Sequence, residues 1–309
     1  MNILITGGTG LIGKKLTETL LRKGHSASIL SRSKNTSTKH SNQEDSKVTY
    51  FTWDISNKKI ETEAIQKADY IIHLAGANVG EGRWTDKRKK EIIDSRVQSG
   101  NLLLDAVKEH NSNLKGFISS SAVGYYGMVT KDKVFEETDK PGVDFLAKVC
   151  EKWENTALKF KQLNIRTIII RTGVVLDKND GALAKLLSPI KLGIGSGLGT
   201  GKQAMPWIHL EDICNLYVKA IEDTEMNGVY NGVAPEQVTN QEFSKTVAKV
   251  LKKPFWFPNV PAFALKLLMG EQAIIALEGS PISSKKTEAT GFKYKYRNLK
   301  DALEDLLKK

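Results

Sequence analysis

The residues best placed to hold a ligand stand near the N-terminus, in the run Thr6-Gly-Gly-Thr-Gly-Leu-Ile-Gly13. Its glycines satisfy Gly-x-x-Gly-x-x-Gly from Gly7 and Gly-x-Gly-x-x-Gly from Gly8. The chemistry implied is phosphate binding: N–H groups at a helix start have no intrahelical partner, and the aligned peptide dipoles favour an anion there. Gly7 and Gly10 let the backbone turn and approach a pyrophosphate, and Gly13 lets the helix pack closely. Other reactive types lie further on. Ser121 is followed closely by Tyr125 and Tyr126, and Arg83, Trp84, Arg88 and Arg96 form a second group. Arginine with tryptophan clamps an anionic or ring-shaped ligand, although the same set reads equally as a charged helix face with one buried indole. Lys202 ends a glycine-rich stretch, 195–201, that reads as a phosphate cradle or as a plain connector. No His, Cys, Asp or Glu set has metal-ligand spacing, so no metal is expected.

The elements that position these residues follow from hydrophobic periodicity. Residues 2–5 form a short apolar, β-branched run, and 11–22 carry apolar residues at helical spacing, giving strand, glycine turn, helix. Further strands are predicted over 26–31, 47–52, 69–73, 116–120 and 166–171, with long helices over 86–109 and 144–162. Strands alternating with helices of this length predict an α/β fold with a parallel, doubly wound sheet. The polar stretch 33–46 lacks periodicity and reads as a mobile loop. Residues 181–201 read as loop, 210–223 as helix, 228–231 as a returning strand, and 237 onward mostly as helices broken by prolines. The predicted division is a Rossmann domain over 1–175, rejoined by 205–235. Residues 176–204 and 236–309 would form a smaller, mostly helical lid over the carboxyl ends of the strands, where ligands bind in such sheets. His209 is expected to cap or pack at the start of the helix beside it, and Asp212 to serve the same helix end through the dipole and hydrogen bonds.

Composition narrows the class. A chain of 309 residues, 40% hydrophobic and 26% charged, is expected to be soluble and globular. No apolar run has membrane-spanning length, and the first strand begins at residue 2, leaving no place for a signal peptide. Two cysteines, Cys150 and Cys214, suit a reducing cytosol, so a cytoplasmic location is expected. The net charge of +11 is spread over scattered lysines without aromatic interleaving or a nucleic-acid module. Neither nucleic acid nor membrane is therefore expected as a partner; a small anionic cofactor or substrate accounts for part of the charge.

Taken in order, Thr6–Gly13, Asp54, Leu74-Ala75-Gly76, Ser119-Ser-Ser-Ala-Val-Gly-Tyr-Tyr-Gly127 and Trp207-Ile-His-Leu-Glu-Asp212 give the chain a family resemblance. It resembles the extended short-chain dehydrogenase/reductase superfamily over essentially its whole length. More narrowly, it is similar to the subgroup joining an NAD-dependent epimerase/dehydratase domain to a C-terminal domain of unknown function. Arg83-Trp-Thr-Asp-Lys-Arg88, Asp94-Ser-Arg96, Phe145-Leu-Ala-Lys-Val-Cys150 and Pro261-Ala-Phe-Ala-Leu-Lys-Leu-Leu-Met-Gly270 carry that narrower likeness. The resemblance implies that Thr6, Gly7, Gly8, Thr9, Gly10, Leu11, Ile12 and Gly13 hold a dinucleotide. NAD-preferring relatives place a carboxylate at the end of the second strand for the ribose hydroxyls; here Ser31 and Arg32 stand there. A guanidinium pairs with a 2′-phosphate, so NADP(H) is the expected cofactor, unless Arg32 is only a solvated surface residue. Asp54 matches the residue that bonds the adenine amino group, or caps the turn after its strand. Leu74, Ala75 and Gly76 match the segment beside the adenine ribose.

The resemblance also implies a catalytic serine and a Tyr-x-x-x-Lys pair on the following helix. Ser121 takes the serine's place, but the tyrosine's place falls at Phe145 and the lysine's at Val149. Lys148 lies one residue early, about 100° round the helix, and is expected at the surface. A positioned acid or base contributes ~10²–10⁴ in rate, so its loss matters. Tyr125 or Tyr126 could supply the phenol instead, or both pack at the pocket wall. The reaction expected is hydride transfer by an oxidoreductase or epimerase on a small anionic or sugar-like substrate. The second reading is a catalytically silent cofactor-binding regulator or interaction protein. The resemblance is also compatible with a homodimer formed through helices flanking the sheet.

Overall fold

The computed structural model describes residues 1–33 and 48–308, so the loop expected over 33–46 lies, beyond Ser33, outside the described residues. Among the described residues ten strands run as β1 (Asn2–Thr6), β2 (Ser26–Ser31), β3 (Val48–Asp54), β4 (Lys59–Ile60), β5 (Tyr70–His73), β6 (Gly116–Ala122), β7 (Arg166–Thr172), β8 (Val174–Leu176), β9 (Trp207–His209) and β10 (Gly228–Gly232). The main sheet has the order β10-β7-β6-β5-β1-β2-β3-β4, parallel throughout except for the antiparallel edge pair β3 and β4. Its central strands β1, β5, β6 and β7 are buried on both faces, as parallel strands covered by helices require, while β3 and β4 at the edge are largely open. The order reverses beside β1, which lies between β2 and β5, and this opens a crevice at the carboxyl ends of those strands.

The helices are α1 (Leu11–Arg22), α2 (Thr62–Gln66), α3 (Asp86–His110), α4 (Phe145–Leu158), α5 (Gly181–Lys191), α6 (Leu210–Glu222), α7 (Asn240–Val250), α8 (Ala262–Met269), α9 (Ile274–Leu277), α10 (Lys285–Ala289) and α11 (Leu299–Lys308). α1 and α6 cover one face of the sheet through Leu16, Leu20, Ile213 and Tyr217, and α2, α3 and α4 the other through Ile65, Leu103 and Ala157. A third core joins α5, α7 and α11 through Leu183, Leu187, Phe243, Val247 and Leu303.

Two expectations are corrected. Residues 181–191 form α5 rather than loop: Asp180 caps its start, and Leu183, Leu187 and Ile190 follow at spacings of four and three residues to bury one face. Gly181 and Pro189 masked that stripe. Asp212 stands in the first turn of α6, where the dipole favours an anion, but its hydrogen bonds do not serve the helix end: its carboxylate, fully buried, accepts from the N–H groups of Lys295 and Tyr296 at 2.8 and 3.0 Å and pins the C-terminal segment to the sheet domain. His209 does cap α6, its Nδ1 accepting from Glu211 N–H at 3.0 Å.

Candidate cofactor and active site

The glycine turn is built to keep side chains out. Gly7 sits at φ +71°, and a Cβ there would lie 3.0 Å from the backbone of Leu74 and Ala75. On Gly13 a Cβ would lie 2.3 Å from Gly7 O and 2.6 Å from Gly8 Cα, so α1 packs on the turn itself. Gly8 abuts Ile29 of β2. Gly10 is the N-cap of α1 and offers no side chain to its amides, while Thr9, Leu11 and Ile12 lie at or near the surface beside them. The turn and uncapped helix start therefore fit a phosphate group approaching from the crevice.

The segment Leu74–Ala77 faces this turn and is fixed from below. Thr6 Oγ1 lies 2.7 Å from His73 Nδ1 and accepts from Ala75 N–H at 3.2 Å. Ser99 gives its hydroxyl proton to Ser95 O, which leaves His73 Nε2–H as donor to Ser99 and Nδ1 as acceptor from Thr6. Burial pushes the His73 pKa down to about 4, so the imidazole stays neutral. Arg96, buried, donates from Nη1 to Ala77 O and Ile92 O, and Ser95 accepts from Ala77 N–H at 2.9 Å. The guanidinium lies so near Gly76 that a Cβ there would meet Cζ at 2.8 Å. Arg96 thus supports the turn. The sequence left His73 without a role; its place at a strand end, facing Ser95, Arg96 and Ser99 on one side of α3, was the missed signal.

Arg32 and Asp54 share the wall of a cavity of about 490 Å³ between the ends of β2 and β3 and the first half of α3. Lys87, Lys90 and Gln98 line its far side. Ser31 Oγ is engaged with the backbone of Ser33, and no carboxylate stands at the end of β2. The Asp54 carboxylate accepts from Asn57 N–H and Nδ2 at 3.0 and 2.7 Å, the turn-capping arrangement, and these bonds lower its pKa.

Deeper in, Ser121 and Tyr126 are both buried in one polar network. Ser121 Oγ donates to Glu154 Oε1 at 2.7 Å, and Glu154 holds Arg171 in a two-pronged ion pair with both contacts at 2.8 Å. Arg171 Nη1 donates to Tyr126 Oη at 3.0 Å, and Tyr126 donates to Asn231 Oδ1 at 2.7 Å. Tyr126 is only 3% exposed, with its pKa pushed up to about 12 by burial, so its phenol ties the turn after β6 to β10 rather than opening on the crevice. Tyr125 is half-buried, with the Arg171 guanidinium 3.4 Å from its ring centre. Glu154, Arg171 and Asn231 escaped the sequence reading because partners so far apart in the chain carry no common spacing.

At the positions of the family's tyrosine and lysine the site is apolar. Phe145 packs edge-on against Trp84 at 4.9 Å, beside Val149, Ile92 and Leu146. Trp84 is buried, and its Nε1–H donates to Val79 O, so it forms part of this wall. Lys148 is exposed, as expected. Arg83 reaches away, donating to the carbonyls of Leu267 and Leu268, while Arg88 pairs with Glu91 and donates to Asn78 O. Lys202 lines a separate cavity of about 240 Å³ with Lys131 and Glu242. Its glycine loop is held by Asn240, Gln203 and Asn259, which is the connector arrangement rather than an open cradle. Among the described residues no group of His, Cys, Asp and Glu converges to hold a metal ion.

A parallel sheet with a glycine turn at its crossover point defines a dinucleotide-binding protein of the Rossmann class. Residues 3–231 match the NAD dependent epimerase/dehydratase family, and residues 260–306 match a domain of unknown function, DUF1731. The chain belongs to that epimerase/dehydratase family. Its relatives include the chloroplastic epimerase family protein SDR39U1 homolog of Arabidopsis thaliana, 36% identical over 99% of this chain and 87% of the relative. Epimerase family protein YfhF of Bacillus subtilis is 34% identical over 99% of this chain and 98% of its own. Among solved structures, human epimerase family protein SDR39U1 with NADPH matches at a TM-score of 0.86 and 31% identity, covering 100% of this chain and 99% of that one.

Proposed function

We propose that this protein binds NADP(H) and transfers hydride to or from a carbinol carbon of a small anionic or sugar-like substrate. The observation that carries the cofactor reading is the pairing of an uncapped glycine turn with Arg32 on the wall of the neighbouring cavity, where no carboxylate ends β2. The human relative solved with NADPH supports it. Residues 6–13 would hold the pyrophosphate, Arg32 the 2′-phosphate, and Leu74–Gly76 would lie along a ribose. When bound, the reduced nicotinamide supplies hydride. Arg96 and the Thr6–His73–Ser99 chain keep the 74–77 turn in place, and the apolar wall of Phe145, Val149 and Trp84 excludes water from that side.

Tyr125 is the proton donor in this reading. Burial raises its pKa, so it holds its proton at neutral pH and gives it up as a carbonyl oxygen gains charge. The test is turnover: protein loaded with NADPH is mixed with pooled aldehydes, ketones, quinones and keto-sugars while the reduced-nicotinamide absorbance is followed. Oxidation by one pool, reduced ~10²-fold or more by Tyr125→Phe, is the expected result. Full turnover of Tyr125→Phe would remove Tyr125 from the mechanism. Phe145 and Val149, in the family's acid/base places, favour a second reading, a cofactor-binding regulator. Stable NADPH binding without oxidation, and without redox-neutral epimerisation, would select it.

A further inference from the structure

The cavity beside Arg32 is closed by one face of α3. Lys87, Lys90, Glu91, Asp94, Ser95 and Gln98 stand at positions i, i+3, i+4, i+7, i+8 and i+11, which a helix places on a single side. The acidic groups on the cavity wall are already engaged. Asp54 accepts twice from Asn57 and has the charge of Lys59 beside it, Asp94 pairs with Lys90, and Glu91 turns to Arg88 at 2.9 Å. Two cations are left over. Among the described residues neither Arg32 nor Lys87 has an ion pair or a side-chain hydrogen bond, although both are exposed and both line this cavity.

Like charges on facing walls of one cavity repel, and an anion between them relieves that repulsion while offering oxygens to both. A phosphate monoester suits the pair: it carries close to two negative charges at neutral pH and presents three acceptor oxygens. Resting on the NADP(H) reading, we infer that Lys87 is the second arm of a clamp on the 2′-phosphate of the cofactor, with Arg32 as the first. Cofactor choice then belongs to the first turn of α3 as well as to the end of β2. The base of the lysine is fixed in advance: Thr85 caps α3, Trp84 is buried just before it, and the Lys89–Glu271 ion pair ties the same turn to the C-terminal segment. The flexible stem of a lysine lets its charge follow the phosphate, while arginine supplies the planar fork. NAD(H), with a hydroxyl in place of the phosphate, leaves both cations unmatched.

Titration calorimetry on the full chain tests this with NADPH, NADH, adenosine 2′,5′-bisphosphate and adenosine 5′-phosphate; the last two carry no nicotinamide, so their binding is independent of turnover. Lys87→Ala should weaken NADPH and the bisphosphate by about fivefold or more and leave NADH and the monophosphate unchanged. Lys87 is exposed and unpaired among the described residues, so the unfolding midpoint should not move. Adding Arg32→Ala should abolish the preference for NADPH over NADH. Lys108→Ala removes the same charge from an exposed position at the far end of α3 and should change none of the four affinities. If Lys87→Ala binds NADPH as tightly as the unaltered chain while Arg32→Ala does not, the clamp is refuted and the NADP(H) reading stands. Equal weakening of all four ligands by Lys87→Ala, or an equal effect of Lys108→Ala, also overturns the inference and assigns the effect to overall charge. Failure of the unaltered chain to prefer NADPH over NADH removes the reading itself, and the clamp with it.

Discussion

His73 shows how one side chain can be both structural and responsive to pH. Its imidazole, buried between Thr6 and Ser99, is held neutral with a pKa near 4, below the ordinary value of 6.5. Between these values the unfolded chain binds a proton that the native protein does not, so stability is complete above about pH 6.5 and is lost as pH falls towards 4. Unfolding in urea across this range should show a loss of about 3 kcal/mol that His73→Gln removes. Glu154 is the other residue with a large expected effect. Glu154→Gln leaves the Arg171 guanidinium buried and unpaired, and should cost ~3–5 kcal/mol in the same assay. Arg32 belongs to the surface, and its removal should act on binding alone: Arg32→Ala should weaken NADPH by tenfold or more and leave NADH and stability unchanged. An unchanged NADPH/NADH affinity ratio, read by titration calorimetry, would refute its role.

Among the elements, the glycine turn and α1 act as one unit because their backbones touch. Gly13→Ala must displace the turn, since the new methyl would lie within 2.6 Å of Gly8 Cα and nearer still to Gly7 O. A loss of several kcal/mol and of cofactor binding is expected, measured by thermal unfolding and titration calorimetry. The face of α3 bearing Ser95, Arg96 and Ser99 holds the 74–77 turn, while its start is clasped to the C-terminal segment through Arg83 and the Lys89–Glu271 ion pair. α3 thus links the 74–77 turn to the C-terminal segment. The first strand, the glycine turn and α1 were legible because each rests on local periodicity. α5 was not, since Gly181 and Pro189 look like breakers when the surface that buries Leu183, Leu187 and Ile190 is unknown.

At the scale of the whole molecule, both thiols are sealed inside. Burial raises the Cys150 pKa to about 12, and Cys214 is raised further, so neither is available as a thiolate. Native protein should be inert to a disulfide reagent that titrates two thiols in denaturant, and the slow native rate should follow global unfolding. Fast modification in the native state would show that the sheet domain opens locally.

The sequence by itself determined the alternation of strands and helices, the glycine turn between β1 and α1, a serine and an arginine rather than a carboxylate at positions 31 and 32, and the apolar residues at Phe145 and Val149. These features are local: periodicity, turn chemistry and residue identity are written within a few positions of one another. Tertiary structure decided what distant residues do together. Tyr126 and Ser121 became parts of a buried network because Glu154, Arg171 and Asn231 arrive from three other elements, and Arg96 became a support because Gly76 leaves room for it. It also decided that Phe263, Leu267 and Leu268, apolar residues that a linear pattern assigns to a core, face outward, because α8 buries only Leu265. Which face of a helix meets another element is a property of the packed fold, and no local spacing contains it.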